Sequence, residues 1–152
     1  EAYELYERYI IKKHADGDMF PPDREQYESF LNNSLGCTQY FRLYDKDRLV
    51  CVAVSDQMLD GLAAIYTFYD PDLDKRSLGT FAVLLQISHA KKIGLPYVYL
   101  GYWIDGCRKM SYKTRFKPLE MLSNGRWHGD GDSSTSGLST IPVVNVSGDA
   151  RD

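Results

Sequence analysis

The apolar periodicity of this chain changes at Thr38, and that change governs what it can fold into. Before it, Leu5, Tyr6, Tyr9 and Ile10 recur at helical intervals across residues 2–15, with Lys13 in line and Gly17 as a stop. Pro21-Pro22-Asp23 offers a second helix start, with Asp23 as N-cap and Gln26 in the capping-box position. Tyr27, Phe30 and Leu31 supply its apolar stripe, which ends near Asn33. From Thr38 the period is two. Tyr40 to Tyr44, a polar turn Asp45-Lys46-Asp47, and Leu49 to Val54 predict a β-hairpin. A third strand, Leu62 to Tyr69, is rich in β-branched and aromatic residues and breaks at Asp70-Pro71 into a loop that runs to Ser77.

Helical spacing returns over residues 78–93 through Leu78, Phe81, Ala82, Leu85 and Ser88-His89, closed by Lys91-Lys92 and Gly94. Pro96 introduces a short apolar strand, Tyr97 to Trp103, with Gly101 where a bulge or a close ligand approach fits. Cys107 to Phe116 reads as a short basic helix, and Asn124-Gly125 between Leu119–Leu122 and Trp127 is a hairpin turn. From His128 the chain turns to Gly, Ser, Thr and Asp, so residues 128–152 are expected to be a flexible tail, in which Ile141 to Val146 can add at most an edge strand. The element order α-α-β-β-β-α-β-α-β-β predicts an α/β domain over residues 1–127, a mixed, mostly antiparallel sheet flanked by helices.

With 152 residues, the chain is long enough for one core. No run approaches the roughly 20 apolar residues of a membrane span, so a soluble, cytoplasmic protein with no membrane partner is expected. Cys37, Cys51 and Cys107 form no CxxC pair, and His14, His89 and His128 are not at metal-ligand spacing; no disulfide framework, metal or other cofactor is expected. The net charge of -3 is carried by Asp130, Asp132, Asp149 and Asp152 against Arg151, which leaves residues 1–127 neutral. A neutral body can still present a basic patch to a polyanion.

The run Tyr97 to Ile104, followed by Cys107-Arg108-Lys109-Met110-Ser111-Tyr112-Lys113 and Arg115 to Glu120, resembles the aminoacyl-tRNA-protein transferases of the N-degron pathway. Tyr6-Glu7-Arg8-Tyr9, His14 to Met19, and Tyr66 to Pro71 running into Arg76-Ser77-Leu78-Gly79 support the resemblance, which spans residues 1–127. It implies the GNAT, or N-acetyltransferase, fold without its first strand, an aminoacyl-tRNA donor, and an acceptor protein beginning with Asp or Glu. The stretch His14 to Met19 is similar to the bacterial branch, which implies leucine rather than arginine as the transferred residue. Complete members also carry an N-terminal region that nothing here matches, so this chain is expected to be the C-terminal part of a longer protein and its own N-terminal domain to be a partner.

Aminoacyl transfer needs little acid-base help, because an α-amine titrates near about pH 8 and positioning with oxyanion stabilisation can carry most of the rate. Arg76, Ser77 and Gly79 begin the long helix, where free N–H groups make a phosphate site; the other reading is that Ser77 caps the helix and Gly79 allows close packing. Phe81 stands where the CoA-binding version of this loop wants a second glycine. Arg108, Lys109, Lys113, Arg115 and Lys117 place five cations in ten residues, with Tyr112 and Phe116 interleaved. They suit a tRNA acceptor end, or else form a solvated basic helix with both rings packed inward. Tyr66, Phe68, Tyr99, Gly101, Tyr102 and Trp103 are candidates for the pocket of the transferred side chain, or for an aromatic core with a bulge glycine. Asp60 is a candidate to hold or deprotonate the acceptor amine, and otherwise a turn residue. A CoA-dependent acetyltransferase and a non-catalytic module that binds tRNA or acidic N-termini remain as rival readings.

Overall fold

A computed structural model describes residues 1–31, 36–129 and 141–146. In chain order the elements are α1 (Ala2–Lys13), α2 (Arg24–Leu31), β1 (Thr38–Asp45), β2 (Arg48–Gln57), β3 (Gly61–Tyr69), α3 (Leu78–Lys92), β4 (Tyr97–Tyr99), β5 (Leu119–Ser123), β6 (Arg126–Gly129) and β7 (Ile141–Asn145). Two 3-10 segments, Pro71–Arg76 and Arg108–Arg115, replace the expected loop and the expected basic helix. The strands follow the order β1-β2-β3-β4-β7-β5-β6. The β3–β4 pair is parallel, and β1–β2, β4–β7, β5–β7 and β5–β6 are antiparallel. The chain divides into two compact units, Glu1–Asp56 with Tyr66–Val83, and Gln57–Ile65 with Leu84–Asp152.

In the first unit, the helical spacing of Leu5, Tyr6, Tyr9 and Ile10 buries one face of α1. Asp23 caps α2 by accepting from the Gln26 amide at 2.7 Å. β2 is buried along nearly its whole length, which is why its run from Leu49 to Val54 lacks the polar alternation of a one-sided strand. Val52 and Val54 meet α1 and Leu31, whereas Cys51 and Ala53 meet Leu78 and Ala82 of α3. Tyr6, fully enclosed, packs edge-on against Phe68 with ring centroids 5.6 Å apart. Burying one such side chain stabilises the unit by about 1.5–3 kcal/mol. Burial also pushes the Cys51 thiol up to about 12, which removes it as a nucleophile or ligand at neutral pH.

Asp70 ends β3 and has no exposed side-chain surface. Its carboxylate pairs with Arg8 of α1 and Arg48 of β2 and accepts from the Asp72 amide at 3.0 Å, which starts the 3-10 segment. Its own amide donates to the Val50 carbonyl at 2.8 Å. Two further pairs, Lys12–Asp72 and Lys13–Asp74, continue the docking of α1 on the segment.

In the second unit, β4 pairs with β3 on one side and with β7 on the other. Val98, Val143 and Val144 are buried in consequence. Asn124 (φ 50) and Gly125 (φ 72) both take left-handed backbone, the geometry that makes Asn-Gly the tight hairpin turn between β5 and β6. The expectation of a flexible tail from residue 128 is corrected where the chain is described. His128 and Gly129 belong to β6, and residues 141–145 form an interior strand between β4 and β5 rather than an edge. Pro142 lies opposite the point where β4 has ended, so the ladder loses one donor there, and its carbonyl still accepts from the Leu100 amide at 2.9 Å. Residues 130–140 and 147–152 lie outside the described residues, as does the expected end of α2 near Asn33.

Replacing Asp70 by Ala leaves two arginines facing an empty buried site, and the expected loss is about 3 kcal/mol, read by urea denaturation. A loss below about 1 kcal/mol would show that the cluster does not organise the unit. The hydrogen bond from Lys12, and then its charge, hold Asp72 below the usual aspartate range. That contribution is present above about pH 4 and is lost as the pH falls through the lowered folded value. Asp72→Asn should therefore flatten the acid limb of a melting-temperature profile, and about 1 M salt should erase the difference from wild type.

Candidate functional site

The candidate residues divide between the two units. In the first, Ser77 closes the 3-10 segment in left-handed backbone (φ 52), and its carbonyl accepts the Phe81 amide at 3.0 Å to open α3. A Cβ on Gly79 would stand 3.3 Å from Tyr69 Cε1, so this glycine serves close packing. The guanidinium of Arg76 lies 2.6 Å from Asp45 Oδ2, and both side chains are half exposed. Its charge is therefore partly offset at the mouth of the helix. Tyr66 and Phe68, expected as walls of a substrate pocket, belong to the aromatic core with Tyr6 and Tyr27, and burial pushes the Tyr66 phenol up to about 12. Phe68 also borders a cavity of about 130 Å³ that reaches Tyr27, Tyr40 and Arg42.

In the second unit, β3 and β4 are clamped at one end and part at the other. The paired stretch is Gly61–Ala63 with Tyr97–Tyr99. A Cβ on Gly61 would come within 2.6 Å of the Tyr97 carbonyl oxygen and 2.8 Å of Tyr99 Cε2, so the approach requires glycine. The Tyr99 hydroxyl donates to Asp60 Oδ2 at 2.8 Å, and its ring lies 6.3 Å from that of Trp127. Asp60 thus holds a phenol of the neighbouring strand, as a turn residue would.

Past Ala63 the strands separate. β3 runs on to Tyr69, while the other chain stays with β7 through Leu100 and then turns at Gly101 (φ 76). The Cβ position of Gly101 is 3.6 Å from Lys113 Nζ and 4.0 Å from the Ala64 carbonyl oxygen, ordinary contact distances at the point where the two strands part. Lys113 Nζ donates to the Tyr102 carbonyl at 2.6 Å. Burial pulls its pKa below the ordinary lysine value. Tyr102 is 66% exposed, and the enclosed indole N–H of Trp103 meets no acceptor among the described residues.

The basic segment takes 3-10 rather than α-helical form. Ser111 and Thr114 hydroxyls donate to the Arg108 and Ser111 carbonyls at 2.9 and 3.0 Å, the i to i−3 bonding by which such side chains compete with a regular helix. Arg108, Lys109, Arg115 and Lys117 are exposed and Lys113 is half-buried. The two interleaved rings separate: Phe116 is buried and Tyr112 is exposed. Sequence reasoning missed the Lys113–Tyr102 bond and the Asn145 Nδ2 to Glu120 Oε1 bond of 2.7 Å between β7 and β5. Neither leaves a periodic signal, because the bonded residues are 11 and 25 positions apart.

Solved acetyltransferases share this arrangement. The ribosomal-protein-S18-alanine N-acetyltransferase of Escherichia coli superposes with a TM-score of 0.60 at 19% identity, covering 95% of this chain and 85% of that one. An acetyltransferase of the GNAT family from Staphylococcus aureus gives 0.58 at 18% identity, covering 95% and 92%. One from Bacillus subtilis, in complex with CoA, gives 0.55 at 14%, covering 93% and 91%. The fold is the GNAT fold. Within it, the chain belongs to the arginine-tRNA-protein transferase family, whose C-terminal region it matches over residues 1–123. It is 53% identical over 127 residues to the aspartate/glutamate leucyltransferase of Stutzerimonas stutzeri, covering 84% of this chain and 54% of that protein. It is 54% identical over 127 residues to that of Acinetobacter baylyi, covering 82% and 46%. The chain thus spans about half the length of these relatives.

Gly101 has room for a methyl group but not the backbone for one. Gly101→Ala is expected to cost about 1–2 kcal/mol in urea denaturation through left-handed strain alone. An unchanged midpoint would mean that the turn readily relaxes.

Proposed function

We propose that the protein containing this chain transfers leucine from leucyl-tRNA to the α-amino group of proteins that begin with Asp or Glu, marking them for N-degron degradation; arginine from arginyl-tRNA is the other donor to be compared. The observation that carries this reading is the opening between β3 and the Gly101 segment, with the exposed cations and the exposed Tyr112 ring on the segment that follows. The family match and the leucyltransferase relatives support it.

The acceptor's neutral amine attacks the ester carbonyl carbon of the donor, the bond from that carbon to the ribose oxygen breaks, and a peptide bond forms. The proton lost by the amine ends on the ribose hydroxyl or in solvent. A useful fraction of an α-amine is neutral at physiological pH, so alignment and oxyanion stabilisation supply most of the acceleration. The ester lies in the opening beside Gly101. The Trp103 indole N–H, enclosed and without an acceptor among the described residues, is the donor proposed for a substrate oxygen. Arg108, Lys109, Arg115 and Lys117 neutralise tRNA phosphates, and Tyr112 stacks on an unpaired base of the acceptor end. The chain spans about half the length of these relatives, and the full-length protein is therefore the form to be assayed.

The test incubates the full-length protein with labelled leucyl-tRNA or arginyl-tRNA and peptides starting with Asp, Glu or Ala. Label is expected on the Asp and Glu peptides, with leucine preferred. Arg115→Ala should weaken tRNA binding and lower the slope of log affinity against log salt by about 1. Acetyl transfer from acetyl-CoA, with none from either tRNA, would replace this reading by that of an ordinary acetyltransferase.

A further inference from the structure

Within the basic segment, Lys113 differs from its four neighbours in charge. Arg108, Lys109, Arg115 and Lys117 are exposed, whereas Lys113 is half-buried, with its ammonium bonded to the Tyr102 carbonyl across 11 residues of sequence. That ammonium also borders the space at Gly101, on the other side of which stands the Ala64 carbonyl, one residue past the last β3–β4 pair. A cation drawn in from solvent and already serving a main-chain oxygen releases no counterion to a phosphate, so the tRNA role read from composition passes to the four exposed cations. Burial also pulls Lys113 below the ordinary lysine value, a cost that the bond to Tyr102 offsets.

The segment it holds is a short one, between the Leu100 amide bond and the single β-bridge at Trp103. Beyond Leu100, whose amide reaches Pro142, the chain reverses through the left-handed Gly101, and the Tyr102 side chain points largely into solvent. The short charge-assisted bond to the Tyr102 carbonyl adds a third hold on this turn, at the residue between Gly101 and Trp103.

We infer that Lys113 is a positioning residue for acyl transfer: its ammonium, by holding the Tyr102 carbonyl, fixes the turn at Gly101 and sets the width of the opening in which the donor's ester lies. This rests on the aminoacyl-transfer reading, and it places Lys113 beside the reacting ester without contact to tRNA phosphate. The bond to Tyr102 can be tested without any activity.

The experiment compares wild type, Lys113→Met and Lys113→Arg in the full-length protein. Hydrogen–deuterium exchange of peptides covering residues 101–104 should rise about tenfold in Lys113→Met and stay within about threefold of wild type in Lys113→Arg, which retains a donor. In steady-state transfer, Lys113→Met should lower kcat by about tenfold and leave KM for leucyl-tRNA unchanged. The salt slope of tRNA binding should also match wild type, in contrast to Arg115→Ala. Unchanged exchange in Lys113→Met, or a raised KM with a slope reduced by about 1, overturns the inference and returns Lys113 to the tRNA path. Should Lys113→Met fail to fold, Lys113→Gln, which keeps an N–H donor without the charge, decides: protection of residues 101–104 and kcat near wild type with an unchanged salt slope support the inference, and a slope reduced by about 1 overturns it. Absence of transfer by wild type from either tRNA refutes the functional reading instead, and the exchange result then still decides whether Lys113 holds the turn.

Discussion

A buried carboxylate with two arginines around it organises the first unit. Asp70 sits where β3 must stop, because Pro71 has no amide to continue a strand, and from there it reaches three other parts of the chain. Arg8 brings in α1, Arg48 brings in the start of β2, and the Asp72 amide begins the 3-10 segment. An ionised group without exposed surface is tolerable only when such partners surround it, so the cluster forms as a whole or not at all. Its geometric product is the approach to α3: the segment ends at Ser77 in left-handed backbone, and Gly79 then passes close to Tyr69. The start of the helix is thus set by packing and charge in the unit.

The second unit is shaped by a difference in strand length. β4 pairs with β3 for three residues and then departs, while β3 continues for six more. What keeps the departing chain in the sheet is β7, whose Pro142 carbonyl takes the Leu100 amide. An interior strand supplied from late in the chain is what allows β4 to be short. Gly101, which has no side chain, and Lys113, bonded to the Tyr102 carbonyl, stand where the two strands part.

The same fold serves CoA-dependent acetyltransferases, so the function has to be argued from what differs. Here Phe81 stands where a second glycine would admit a pyrophosphate, 47% exposed at the start of α3. The exposed cations lie instead on the segment after Trp103, together with Tyr112. A charged RNA end needs this combination of spread positive charge and an accessible ring more than it needs a tight phosphate loop.

Much of the fold was legible because short-range rules decide it. The helical recurrence of Leu5, Tyr6, Tyr9 and Ile10, the cap at Asp23, the hairpin turn at Lys46 and the Asn124-Gly125 turn each follow from neighbours a few residues apart. The candidate site was legible only in part. Gly101 and the run of cations stood out, yet Phe68 went to the core, Phe116 was buried while Tyr112 was not, and Asp60 took the Tyr99 hydroxyl. Local sequence determined where α1, α2, α3 and the strands β1 to β3 form. Tertiary structure alone decided that residues 141–145 enter the middle of the sheet, that Asp70 meets an arginine 62 positions away, and that Lys113 turns inward to a carbonyl. Those outcomes depend on which unpaired main-chain and charged groups remain once the sheet has assembled, and a one-dimensional pattern carries no record of that remainder.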